Sequence, residues 1–244
     1  MITAYLTIDD VPSKITPSIV DYLSQKQIEP IMFCWGKRVQ NNKKNAIYAL
    51  QHKMLLQNHS FTHPRFSDLS LDQSIEEIEK TETVLESLYK EAGVTRPFKL
   101  FRFPFGDKGG QNEDALQDYL KNHGFTQLDH SGILPSEYEK IDIPKNQADC
   151  FDVKWTFDYA EYQVRPNAGF SVEDSISRAN VRFGTPYGDH PKNGAAPAKV
   201  KAEQIILIHD HEETEAMHKN YFEDLINALL LRGMRFVKPI RRLD

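Results

Sequence analysis

The sequence is short of the features that mark several large classes of protein. It has only two cysteines in 244 residues, Cys34 and Cys150. Two cannot build a disulfide framework, and neither has a Cys or His neighbour at zinc-site spacing. Both read as buried free thiols. There is no Lys/Arg-rich run, and the formal net charge is -5, which argues against a general nucleic-acid binder. No apolar stretch reaches the roughly 20 residues that cross a bilayer. The start, Met1 to Ile8, lacks a basic segment and is too short for a signal core. On that ground the chain is expected to be cytoplasmic unless a leader was removed. Internal repeats and low-complexity tracts are also missing. What remains is the composition of an ordinary globular protein. It is long enough to bury a substantial core as one domain or two.

Strand-like and helix-like segments alternate along the chain. Tyr5 to Ile8 reads as a strand, and Thr16-Pro17 as an N-cap with proline at the first helical position. Pro30 to Cys34 is a second strand. The spacing of Ile47, Leu50, Met54 and Leu55 predicts a helix over 45–56. Ser70 and Gln73 form a capping box for a helix that runs to Ala92 and stops at Gly93. Further strands are expected at 99–103, 150–155 and 204–208. Further helices are expected at 112–123 and 214–232, with Phe236-Val237 opening a closing strand. Residues 163–203 break the rhythm. A short helix at 171–181 fits there, and the rest reads as a long loop insertion in a single domain spanning 1–244. The alternation implies a parallel sheet covered by helices. Both a doubly wound sheet and a barrel satisfy it. Asp9, Asp10, Arg102 and His209 each sit where an apolar strand ends, which favours an α/β architecture of distorted (β/α) barrel type. It would be TIM-barrel-like, with fewer than eight regular strands.

Chemistry concentrates in a few places. His59 and His63 lie four residues apart, so one turn of backbone can bring both to a single ion. An acidic residue from elsewhere would complete a three-ligand site with a position left for water. Asp9 and Asp10 are adjacent, so one can hold metal while the other takes a proton. The residue types alone therefore suggest metal-assisted hydrolysis.

The ordered set of motifs resembles the polysaccharide deacetylase family of metal-dependent carbohydrate esterases. Thr7-Ile8-Asp9-Asp10-Val11-Pro12 is similar to that family's T-F-D-D-G-P, with Val11 at a glycine that would serve a backbone turn. His59-Ser60-Phe61-Thr62-His63-Pro64 matches H-[ST]-x-x-H-P. Arg102-Phe103-Pro104-Phe105-Gly106 matches R-x-P-[YF]-G, and Leu207-Ile208-His209-Asp210 matches L-x-H-D. Ile31 to Gly36 resembles the family's T-F-F-x-x-G strand. The segment Trp155 to Tyr162 keeps Trp155 and Asp158 of W-x-x-D-x-x-D-W but carries Glu161 and Tyr162 at its end.

The resemblance implies roles. Asp10, His59 and His63 would hold one divalent metal, zinc by donor preference. Asp9 would be the general base, oriented by Arg102. The Phe105 N–H would stabilise the oxyanion, and His209 would protonate the leaving amine. Leu207 would line the acetyl pocket, and Trp155 and Tyr162 would flank the sugar. A carboxylate at Asp158 or Glu161, or else Asp152, would orient Arg102. The implied activity is removal of acetyl groups from N-acetylated sugars of chitin or peptidoglycan type. The alternatives are a deacylase or amidohydrolase of a small amide, and an O-acetyl esterase, on the same barrel. A non-catalytic carbohydrate-binding relative is disfavoured because Asp9 and His209 are both present.

Overall fold

A computed structural model describes residues 2–129, 131–133, 150–185 and 203–242. Its centre is a parallel sheet in the order β3-β2-β1-β5-β4, with β6 paired to the start of β1. These strands are β1 Ile2–Val11, β2 Ile31–Cys34, β3 Leu55–Asn58, β4 Phe157–Asp158, β5 Gln204–His209 and β6 Met234–Phe236. The sheet curls round because Asn58 bridges to Phe101 and Phe101 to Asp152. The chain from Asp152 then runs up to β4 beside β5. A distorted barrel results, as expected, with a gap in the regular ladder at the 99–103 and 150–155 segments. Both were expected to be strands. They form isolated bridges instead, and the regular pairing resumes only at β4.

Strand alternation sorts the core into two sides. Ala4, Leu6 and Ile8 of β1 face outward and pack with the helices, as do Met32, Cys34, Ile206 and Ile208. Tyr5, Ile31, Phe33, Ile205 and Leu207 face inward and fill the barrel with Leu100, Val153 and Trp155. A third cluster, built on Phe66, Phe101, Phe103 and Leu116, seats two helices, α4 and α5, on the weakly paired side. Helix α4 (Leu71–Ala92) has the expected Ser70/Gln73 capping box and ends at Gly93 in the left-handed region. Helix α5 spans Glu113–Asn122.

Three local expectations are corrected. The helix predicted over 45–56 is α3, Lys43–Gln51, and it stops early. Lys53 takes a left-handed φ of 68°, and Leu55 and Leu56 leave the helix to pair with Ile31 and Met32. The apolar spacing was the same in both cases, and tertiary pairing decided it. Thr16 is not an N-cap. It opens α1 (Thr16–Gln25) behind Ile15, and its hydroxyl is spent on Asp210. The predicted 214–232 helix is two, α7 (Glu212–Met217) and α8 (Tyr221–Leu231). Glu215 takes the Asn220 N–H and Asp224 holds His218, so side chains replace helical bonds at the break. The 163–203 segment carries a helix close to the one expected at 171–181. It contains α6, Val172–Phe183, whose Ala179 and Phe183 are core residues and whose Phe183 ring meets Phe157. Residues 186–202 lie outside the described residues.

The turn from β1 into α1 is clasped to the end of β5. Asp210 is fully buried, and its carboxylate accepts from the Ser13 N–H, the Ser13 hydroxyl and the Thr16 hydroxyl. Burial is the main influence on this carboxyl and raises its pKa to about 6, against those hydrogen bonds. Replacing Asp210 with Ala strands the buried Ser13 and Thr16 hydroxyl donors, while the Ser13 N–H keeps the Thr16 oxygen. The expected loss is about 1–3 kcal/mol of unfolding free energy or more, read from urea denaturation. Unchanged stability would show that the clasp is idle.

Candidate active site

Asp9 points into the barrel by strand alternation, two residues beyond Thr7 and in register with His209 of β5. Asp10 should then point outward. The β1–β2 register shifts between Ile8 and Val11, and Asp10 adopts φ 67°. This irregularity brings two consecutive carboxylates to one mouth, which a regular strand cannot do. Aspartate tolerates the left-handed region better than most residues. The turn is made at Asp10, so Val11 needs no glycine-like backbone. Asp10 is held by the Trp35 indole N–H at 2.7 Å. The Arg38 guanidinium donates to its carbonyl and lies over the Trp35 ring at 4.3 Å.

His59 follows β3 immediately. Its Nδ1 meets the Arg102 carbonyl at 2.7 Å, so Nδ1 donates and Nε2 carries the lone pair. His63 comes from a loop rather than a helical turn, because Ser60 and His63 both have positive φ. The Ser60 hydroxyl accepts the His63 N–H. Trp35 stacks on the His63 ring at 4.5 Å, and Phe105 meets it edge-on at 4.6 Å. Burial holds the His59 pKa well below the imidazole norm, aided by His63 and opposed by Asp10. Burial lowers His63 as well, against the pull of Asp10 and Asp9. Both rings are therefore neutral near pH 7, the form that ligates metal. Burial alone would raise Asp10. His209, His63 and His59 outweigh it and leave the carboxyl lowered.

Asp10 Oδ1 lies 3.4 Å from His63 Nε2 and 4.0 Å from His59 Nε2. One ligand atom from each of the three residues falls within 4.8 Å of the others. Two imidazole nitrogens and a carboxylate oxygen that converge this closely fit a divalent cation. His59 Nε2 is also 3.5 Å from Asp9 Oδ2.

Arg102 is buried to 1% exposure beneath this cluster. Its Nη1 donates to Asp9 Oδ1 at 2.7 Å and to the Thr7 hydroxyl at 2.9 Å. Nε and Nη2 donate to the Val153 and Lys154 carbonyls. The guanidinium sits over the Phe33 ring at 4.4 Å and near Trp155 at 5.5 Å.

The carboxylate expected to orient Arg102 from the 155–162 segment does something else. Glu161 is fully buried and accepts from the His209 backbone N–H. It also pairs with His209 Nδ1 at 3.0 Å. Asp152 is engaged by Lys108 and Gln117 instead. Asp158 accepts the Ala160 N–H and lines the cavity. Burial acts to lower His209, but Glu161, by charge and by hydrogen bond, wins with help from Asp158 and Asp10. The pKa rises to about 10, so His209 is protonated near neutral pH.

A cavity of about 500 Å³ joins these groups. Leu207, Trp155, Tyr162, Asp158 and Phe105 line it beside Asp9, Asp10, His59, His63 and His209. The Tyr162 ring lies 4.8 Å from His209. Phe105 has φ 58° in a 3-10 turn, Pro104–Gly106. Its neighbours Gly106 and Asp107 bond to backbone carbonyls, while its own N–H meets no protein acceptor among the described residues. The sequence reading missed Trp35 and Arg38 as supports of Asp10. It also missed Arg65, Arg165 and His211 on the cavity wall. Arg65 lies over the exposed Phe105 ring at 4.6 Å.

A stretch of 104 residues is 32% identical to chitin deacetylase 1 of Cryptococcus neoformans var. grubii, covering 42% of this chain and 21% of that protein. Another of 114 residues is 29% identical to a bifunctional xylanase/xylan deacetylase of Cellvibrio japonicus, covering 46% and 16%. The chain thus spans about a fifth or less of the length of these relatives. The fold is shared with a family 4 carbohydrate esterase from Streptomyces lividans, solved in complex with acetate. Its TM-score is 0.61 at 22% identity, over 97% of this chain and 92% of the other. The family model described as polysaccharide deacetylase matches residues 2–128, just over half of the chain, from β1 past α5. The protein belongs to the polysaccharide deacetylase family.

Proposed function

We propose that the protein is a metal-dependent hydrolase that removes acetyl groups from N-acetylated sugars. One observation carries the reading. Asp10, His59 and His63 converge on one point of the cavity, with Asp9 on one side and His209 also on its wall. Asp10, His59 and His63 would hold the ion, zinc by the preference of imidazole nitrogen. When bound, it would supply Lewis acidity and an acidified water.

The chain's own groups do the rest. Arg102 occupies Asp9 Oδ1, which leaves Oδ2 as the oxygen that accepts a proton from the attacking water. The Phe105 N–H donates to the oxygen of the acyl group as charge builds there. His209 Nδ1 is held by Glu161, so Nε2 is the atom that delivers a proton to the departing amine. Leu207 bounds the space for the acetyl methyl, and Trp155 and Tyr162 offer flat faces to the sugar. Acetate and a free amine leave. The supporting test is acetate release from N-acetylglucosamine oligomers, against acetylated xylan and small amides.

Purified protein should carry about one divalent ion per chain, as a three-ligand site implies. His63→Ala should lose most of it by elemental analysis. Full occupancy in a His59→Ala/His63→Ala variant would refute the ligand set. Asp9→Asn should keep the ion and lose turnover by roughly a hundred- to ten-thousand-fold. Near-normal acetate release in that variant would assign the proton to another group.

Glu161→Gln removes the anion that raises His209. The His209 pKa should fall, and the alkaline limb of the kcat/KM profile should move to lower pH. The same pair sets a stability window. A raised imidazole stabilises fully below its ordinary 6.5 and less as pH climbs toward about 10. The variant should therefore lose less stability than the parent between those values. An unmoved alkaline limb would separate Glu161 from the proton donor.

A further inference from the structure

The two ends of the barrel are chemically opposite. At the far end from Asp9 lies a second and larger cavity, of about 740 Å³. That is within the roughly 300–1,000 Å³ of small-molecule sites. It opens where β2 and β3 begin, beneath the chain that follows β6. That chain is anchored across the barrel base by the Ile240 carbonyl, which accepts the Asp129 N–H, and by the Arg242 N–H, which donates to Gln127.

Its wall is carbon. Leu50, Met54, Leu55, Tyr89, Val94 and Phe98 supply side chains. Pro30, Pro97 and Pro239 complete it, and prolines have no N–H to offer. Gln51 and Thr95 add polar groups to the lining, but several of its other polar atoms are already engaged. The Tyr89 hydroxyl both donates to and accepts from the Leu56 backbone, so only its ring faces the space. The Phe98 carbonyl accepts from Gln57, and the Leu55 N–H donates to Pro30.

The rim is cationic. Lys53, Lys238, Arg241 and Glu29 surround the opening. Glu29 pairs with Lys238 at 2.8 Å. Among the described residues, Lys53 and Arg241 have no carboxylate in salt-bridge range, and both are exposed. An apolar cavity edged by two unneutralised cations complements one kind of molecule. We infer that this cavity binds a single-chain amphiphile with an anionic head, a medium- to long-chain fatty carboxylate. The alkyl chain would lie on the proline-backed wall and the carboxylate at Lys53 and Arg241. Tyr5, Ile31, Phe33, Leu100 and Ile205 fill the barrel interior, so this site is separate from the acetyl-binding cavity and does not rest on the hydrolase reading.

Calorimetric titration of the full chain with submicellar dodecanoate tests the inference, with dodecylammonium and hexanoate as comparison ligands. One dodecanoate per chain is expected. The six missing methylenes of hexanoate, and the wrong charge of dodecylammonium, should each weaken binding roughly tenfold or more. Exchanging the exposed pair in a Lys53→Glu/Arg241→Glu variant should abolish the preference for the anion. Val94→Trp should block the cavity and remove binding of both twelve-carbon ligands. No saturable binding by the parent would overturn the proposal. So would equal affinity for dodecanoate and dodecylammonium, or an anion preference that survives the charge reversal.

Discussion

The buried Arg102 guanidinium is the contact on which the rest of the barrel mouth depends. It lies where the regular ladder lapses between the 99–103 segment and the chain leading to β4. Its bonds to the Val153 and Lys154 carbonyls close that gap. The same group fixes Asp9 through Oδ1, and its own backbone carbonyl fixes His59 through Nδ1. One residue thus joins the closure of the fold to the orientation of two groups in the site. A buried cation is tolerated only because nearly every donor has an acceptor. Removing it would leave Asp9 buried and unpaired, a change that typically costs about 3–5 kcal/mol.

The backbone around the mouth is held in uncommon conformations. Asp10, Ser60, His63, Phe105 and Ala160 all have positive φ without being glycine. Each lies in or beside a residue that lines the cavity or supports it. Such conformations cost on the order of 1–3 kcal/mol each, less for Asp, and persist only where the surroundings dictate them. Here the strand ends dictate them. Asp10 is pinned by Trp35 and Arg38, and the His63 N–H is taken by Ser60. This strain aims consecutive residues at a common point, which regular strands and helices would spread apart.

Charge is distributed by the same logic. The mouth gathers carboxylates and imidazoles whose titrations are pushed in opposite directions. His59 and His63 are driven neutral by burial, while His209 is kept cationic by a buried partner, Glu161. Within one cavity, His59 and His63 are thus left in the form that can donate a lone pair, and His209 in the form that can donate a proton. The difference lies in which carboxylate each one touches. Among the described residues, the cavity at the opposite end is walled mainly by carbon.

Much of this was legible in the sequence because it is local. The ends of apolar runs placed Asp9, Arg102 and His209 at strand termini, and the capping box and Gly93 bounded α4. The motifs named Asp10, His59, His63 and Arg102 as a set before any coordinates. The tertiary structure alone decided the pairings across long stretches of chain. The partner of Glu161 is His209, 48 residues away, and not Arg102. The apolar spacing at 54–56 suited a helix until β2 offered backbone partners. Trp35 and Arg38 became supports of Asp10 only once β1 and β2 lay side by side. Residue type and spacing determine what a side chain can do. Which neighbour it does it with depends on burial and backbone register, and these exist only when the whole chain has folded.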